Sequence, residues 1–388
     1  MSIYITARQM LDIISAVIKG EKIDLGSMDI DWESMVKLCD YHGITNLIAY
    51  AVDESVPAEY AKRFHQSSAV AMSRTVQFEY STQEICEAFE NNKISYMLLK
   101  GHIMRQYYPT PEMRTMCDVD MLIKAEDDER IQKVMAELGY TMENEFGRED
   151  EKSYHRPPFC SYDMHTQLVS DTHTKLKEYY GTGWRLAKNS SEYGYIMSHE
   201  DFFIFLLAHF TKHYANAGIG VRPVLDIWIF LDKFKDKLDW SYIDSELDKM
   251  QMKPFAYNVF KLSEVWFGGR ETDKTMDDMT GYILFSGMYG TTSNWFRAKK
   301  LQSGNKLWYF VKTKFNAVFL PRRYMEKLFP ELKERPYLLS YYWIKRIVTK
   351  LSDGSGKKYL DKQKQTSGEM LGETEQHFNA VGLEDYLK

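Results

Sequence analysis

A chain of 388 residues is long enough for two or three packed units and one substantial core. Its hydrophobic share of 44% and aromatic share of 14% describe an ordinary globular protein rich in Tyr and Met. The net charge of −5 and isoelectric point near 6.1 supply no global basic field, which argues against an enzyme working along long nucleic-acid templates.

Four cysteines, Cys39, Cys86, Cys117 and Cys160, are far apart, lack Cys-x-x-Cys spacing and sit in apolar contexts. They read as reduced, buried thiols. The N-terminus has no basic region leading into a long apolar run, and no stretch approaches a membrane span, so the expected location is the cytoplasm.

In chain order, Thr6 is placed to cap a helix through Leu11, Ile14 and Val17 that stops at Gly20. Asp31 precedes Trp32, Met35, Val36 and Cys39, an i, i+3, i+4, i+7 face. Pro57 opens a long helix reaching Asn91-Asn92, with Phe64, Val70, Val76, Phe78, Ile85 and Phe89 at its apolar positions. Residues 1–92 are therefore expected to be helical and to pack around a central sheet. From Lys93 to about Ser170 the apolar period switches to two, which marks strands. The pattern predicts a strand, a short helix, a second strand, a helix over Asp127 to Leu138, and two or three more strands after Gly139-Tyr140. Glu143 to Ser153 is charged and reads as a hairpin tip.

Helices return after Ser170: Asp201 to Tyr214, Val224 to Leu231, one opening at Asp239-Trp240, and more between Phe255 and Leu351. Residues 352 to about 373 are polar with scattered glycines and read as a linker before a short last helix. The expected fold is α+β. A small mixed sheet over 93–170 lies between an N-terminal helical segment (1–92) and a larger C-terminal helical region (171–351), with the linker and last helix at 352–388.

The chemistry concentrates in two strand-like runs. In the run ending at Ile123, Asp118 and Asp120 project to one face, and Cys117, Val119 and Met121 to the other. Neighbouring carboxylates repel and raise each other's pKa unless a cation sits between them. A divalent ion such as Mg²⁺ suits a few carboxylates and leaves its other positions to water and phosphates. Most Asp-x-Asp pairs are simply solvated, so the pair alone is weak. In the run from Phe159 to Leu168, Asp163 and His165 share the face opposite Cys160, Tyr162 and Met164, which adds a third acid.

Other features have plainer readings. His209 and His213 lie four apart on one helix, but a zinc-protease motif needs Glu after the first His, and Phe210 stands there. Arg222 and Asp226 read most simply as an intrahelical pair worth a few tenths of a kcal/mol. Basic aromatic segments around Lys306 to Lys314 and Tyr341 to Lys350 read as solvated faces. Neither Gly-x-x-x-x-Gly-Lys nor Gly-x-Gly-x-x-Gly is present, which weakens P-loop and Rossmann readings.

The succession Leu-Leu-Lys-Gly, Tyr-Pro, Arg114, Asp-Val-Asp-Met-Leu-Ile, Gly-Tyr and Asp-Met-His resembles nucleotidyltransferases of the polymerase-β superfamily. More narrowly, it resembles a bacterial group of uncharacterised nucleotidyltransferases. The resemblance runs from about Trp32 to about Ile347 and is densest between Leu98 and His165. It implies that Asp118, Asp120 and Asp163 are catalytic and hold Mg²⁺ or Mn²⁺, with Asp163 also serving as general base. Lys100, Gly101, His102 and Arg114 would face the triphosphate. Gly101-His102 stands where the superfamily has Gly-Ser, and the gap to Asp118 is longer than usual; both suit the narrower group. On the acceptor side it suggests His165, His209, His213, Arg222 and Asp226. The implied activity is transfer of a nucleoside monophosphate from a nucleoside triphosphate such as ATP to an acceptor hydroxyl or phosphate, releasing pyrophosphate. The acceptor would be a small molecule, a sugar phosphate or a protein. The alternative is a non-catalytic nucleotide-binding or interaction protein on the same fold.

Overall fold

In the computed structural model, which describes residues 3–143, 150–170, 174–303, 315, 319–352 and 368–387, the switch of apolar period builds a seven-stranded mixed sheet. In chain order the strands are β1 (Tyr96–Leu98), β2 (Val119–Ile123), β3 (Thr141–Glu143), β4 (Glu151–Arg156), β5 (Cys160–His165), β6 (Lys188–Asn189) and β7 (Gly194–Ile196). Their order across the sheet is β3-β4-β5-β2-β1-β7-β6. β1 is antiparallel to β2, while β2 runs parallel to β5 with Asp120 opposite Asp163 and Leu122 opposite His165.

Alternation along the strands decides which side of the sheet does what. Val119, Met121 and Ile123 of β2 join Tyr162 and Met164 of β5 in one core. That core is closed by Phe78, Ile85 and Phe89 of the helix Ala58–Asn91 and by Ile131, Val134 and Met135 of the helix Asp128–Glu137. Fully burying such a side chain is worth ~1.5–3 kcal/mol. Leu122 points the other way, with Met97 and Leu99, into a larger core shared with the N-terminal helices and the helices after the sheet. Asp120, between Met121 and Val119, therefore faces the side on which the C-terminal helices pack.

Several helices start where a side chain can accept an orphan backbone N–H. Asp31 caps Trp32–His42, Ser198 caps His199–Tyr214, and Asp239 caps Trp240–Lys249. Thr6 does not cap the first helix. That helix runs Ile3–Lys19, with Thr6 buried inside it, so its start lies a turn before the polar residue that suggested it.

The sheet does not end at Ser170. β6 and β7 come after it and extend the sheet beside β1, in a stretch too short and too polar to show a strand period. Of the charged stretch Glu143 to Ser153, residues 143 and 150–153 are described; Glu143 ends β3, and 151–153 belong to β4, which pairs with it. Cys39 and Cys160 are buried, but Cys86 is half-buried and Cys117 is exposed, so only two of the four thiols match the expectation. Cys117 escapes burial because it precedes β2 and lies outside the packed face. The segment Lys306 to Lys314 and most of the expected linker lie outside the described residues. Beyond the linker, Gly368–Ala380 is a helix whose Phe378 enters the main core with Val381 and Leu383.

Candidate active site

The site forms where β1 ends and β2 begins. After Leu98 the chain turns into a short helix, Lys100–Met104, with Lys100 at φ 39° and the Leu99 N–H donating to the Asp120 carbonyl at 3.0 Å. Left-handed backbone at a non-glycine residue costs energy and persists where surrounding bonds impose it. Here it aims Lys100 Nζ at Asp120 Oδ1, 2.9 Å away.

Parallel register between β2 and β5 brings Asp120 beside Asp163. His165 Nε2 also donates to Asp120 Oδ1, at 2.8 Å, and the Glu151 carboxylate lies 3.8 Å from His165 Nδ1. On Asp163 the hydrogen bond comes from Ser153 Oγ to Oδ1, at 2.7 Å, across the β4–β5 pair. Ligand atoms of Asp120, Asp163 and His165 all lie within 4.8 Å of one another. Asp118 precedes β2 by one residue and is not a member of that group, although its carboxyl feels the charges of both Asp120 and Asp163.

The three carboxylates occupy different electrostatic environments. Burial works against ionised Asp120, yet Lys100 and His165 together hold it well below the ordinary carboxylate range. For Asp118, burial and the negative charges of Asp120 and Asp163 outweigh the charges of Lys100 and His165 and push it up to about 6. Burial also raises Asp163, against the Ser153 hydrogen bond. A divalent cation fits this donor set. Among the described residues the donors to Asp120 and Asp163 take Oδ1 of each, which leaves each Oδ2 for a hard cation.

Arg114 does not pair with Glu112 but clamps Asp226, with Nε 2.9 Å from Oδ1 and Nη2 2.8 Å from Oδ2. Tyr108 Oη also donates to Asp226 Oδ1, at 2.8 Å. Asp226 is buried rather than at a rim, and the expected intrahelical pair with Arg222 does not form. Arg222 instead reaches the Gly43 carbonyl and, at 2.8 Å, Thr115 Oγ1. Helical spacing could not anticipate this, because all these partners lie more than a hundred residues away in sequence. Gly101 lies against the clamp: a Cβ there would fall 2.7 Å from Arg114 Nη1. His102 follows it, with Nδ1 buried and without a hydrogen-bond partner, and burial and Arg105 lower its pKa to about 4.

His209 and His213 bond to each other, Nε2 to Nε2 at 3.1 Å. Burial drives His209 well below its ordinary pKa, and the neighbouring His213 and the charges of Lys100, Lys212 and Arg114 add to the shift. Ser153, Glu151 and Tyr108 went unnoticed in the sequence. The first two could have been found only by registering β4 against β5.

No curated protein and no solved structure matches the chain. A family model described as uncharacterised nucleotidyltransferase matches residues 28–268, well over half of the 388 and including every residue of this site. The chain belongs to that nucleotidyltransferase family.

Proposed function

We propose that the protein transfers a nucleoside monophosphate from a nucleoside triphosphate such as ATP to an acceptor hydroxyl or phosphate, and that Asp118, Asp120 and Asp163 hold Mg²⁺ or Mn²⁺ for this step. The observation that carries the reading is the parallel register of Asp120 against Asp163, with one oxygen of each free of protein donors. Bound there, a divalent ion would neutralise phosphate charge and stabilise the transition state.

The chain's own residues supply the rest. Lys100 keeps Asp120 ionised, and from the turn after β1 it would face the triphosphate. Two of the three guanidinium nitrogens of Arg114 hold Asp226, and Nη1, next to Gly101, is left to donate to a phosphate oxygen. The missing Cβ of Gly101 is what allows that approach. A neutral His102 retains one N–H to donate where the superfamily uses Ser. Asp163, held above the usual carboxylate range, is suited to accept the proton of an acceptor hydroxyl. Neutral His209, hydrogen-bonded to His213, would offer a hydrogen bond to the acceptor from its helix.

The test is thermal shift with nucleoside triphosphates, with and without Mg²⁺, followed by labelled-triphosphate transfer to sugar phosphates, small hydroxylated molecules and proteins. Metal-dependent stabilisation with pyrophosphate release is the expected result. Stabilisation independent of metal, with no transfer to any acceptor, would overturn the reading.

A further inference from the structure

Between the helices Lys274–Ser286 and Thr292–Leu301 lies a turn, Gly287 to Thr291, with Tyr289 at its tip. The turn is clamped at both ends. The Met288 N–H donates to the Tyr41 carbonyl at 3.0 Å, and the Thr291 N–H donates to the Ala217 carbonyl at 2.7 Å. Gly287 and Gly290, at φ 65° and 73°, make this close approach possible. A Cβ on Gly287 would fall 2.4 Å from the Tyr41 ring, and one on Gly290 would fall 2.3 Å from the Ala217 carbonyl oxygen.

From that turn Tyr289 reaches the start of β2. Its Oη lies 3.6 Å from Sγ of Cys117, the residue immediately before Asp118. Beyond Cys117, the charges of Arg222 and Asp118 act on the same hydroxyl. Yet the residue is 75% exposed. Exposed tyrosines are common, and one that is free at its tip can lay its ring on neighbouring apolar surface. Here the backbone and the hydroxyl are both held, and the ring stays open. A ring held in this way gives up little freedom when a second ring lies on it.

We infer that Tyr289 is the stacking platform for the nucleobase of the triphosphate. The inference rests on the nucleotidyl-transfer reading above. In that reading the triphosphate tail lies toward Gly101 and Arg114, with the transferred phosphate over the acids. The nucleoside would then leave the acids near Asp118, where the ring of Tyr289 is tethered. Stacking on an aromatic face tolerates any base and is worth roughly 5- to 150-fold in affinity. Tyr289 lies beyond the matched residues 28–268, so family membership alone does not assign it.

Isothermal titration of the full chain in Mg²⁺ compares a non-hydrolysable ATP analogue with tripolyphosphate, which has three linked phosphates and no ring. The wild type should bind the analogue more tightly. Tyr289→Ala should lose roughly fivefold or more of the affinity for the analogue and none of that for tripolyphosphate. Its Tm should not change, because the side chain is exposed. Tyr289→Phe and Tyr289→Trp keep an aromatic face and should keep the tighter binding. Equal affinity of wild type and Tyr289→Ala for the analogue would overturn the inference; if transfer to an acceptor were lost in that variant, the ring would belong to the acceptor instead. An equal loss for both ligands would also overturn it and place Tyr289 against the phosphates. A wild type that binds neither ligand in Mg²⁺ would overturn the nucleotidyl-transfer reading, and the platform with it.

Discussion

Arg114 and Asp226 are joined by two parallel hydrogen bonds across 112 residues of sequence, which ties the segment before Asp118 and Asp120 to a helix well beyond the sheet. Both side chains are largely buried, at 12% and 7% exposure. Removing one member of such a pair strands the other charge and typically costs about 3–5 kcal/mol. Asp226→Ala should therefore lower stability on that scale in urea unfolding. Arg114→Lys keeps a charge but loses the fork, so it should destabilise less and raise the KM for triphosphate several-fold. Unchanged KM would assign Arg114 to the scaffold alone.

Asp118→Ala should abolish transfer, by at least roughly the 10²–10³-fold seen when an electrostatic stabiliser is removed. The same change should leave Tm at or above the wild-type value, because it removes a carboxylate crowded by Asp120 and Asp163. Asp120→Ala should behave differently, since it strands Lys100 beside His165 and should lower Tm. Parallel melting and activity measurements separate the two.

At Gly101 a methyl group would meet Arg114 Nη1 at 2.7 Å. Gly101→Ala should push the guanidinium aside at a cost of about 1–3 kcal/mol and weaken triphosphate binding. Isothermal titration with a non-hydrolysable triphosphate reads the second effect. Binding equal to wild type would show that the guanidinium can shift without loss.

His42 and His377 predict a specific acid lability. Burial lowers each from 6.5 to about 4. A histidine whose folded pKa is depressed contributes its full stability above about pH 6.5 and loses it as pH falls toward 4, because the unfolded chain then binds the extra proton. Each shift corresponds to about 3–4 kcal/mol. Tm should fall between pH 6.5 and 4, and His42→Phe should flatten that fall. An equally steep profile in the variant would place the lability elsewhere.

The acids were legible in the sequence because strand alternation is local: Val119, Met121 and Tyr162 are buried by the same two-residue period that turns Asp120 and Asp163 to the cleft. The long helix was legible for a similar reason, since Phe78, Ile85 and Phe89 carry its core face and Pro57 its start. What stayed hidden depends on distant parts of the chain meeting. Asp226 looked like a partner for Arg222 because the two are four apart on one helix. Its true partners, Tyr108 and Arg114, arrive on a loop that only the folded sheet positions. The short strands β6 and β7 exist by borrowing hydrogen bonds from β1, and no local period announces them.

His377 accepts from or donates to Tyr214 Oη at 2.7 Å, and Phe378, Val381 and Leu383 fill the core around that tyrosine. Tyr214 ends the same helix that carries His209 and His213. During synthesis, that helix leaves the ribosome more than 150 residues before the segment that covers its far end. The wall of the cleft must therefore wait, part-packed, for residues 377–383 before it can lock. A stop codon just upstream of Gly368 would spare every residue of the candidate site and still be expected to yield a protein that chaperones hold and proteases clear.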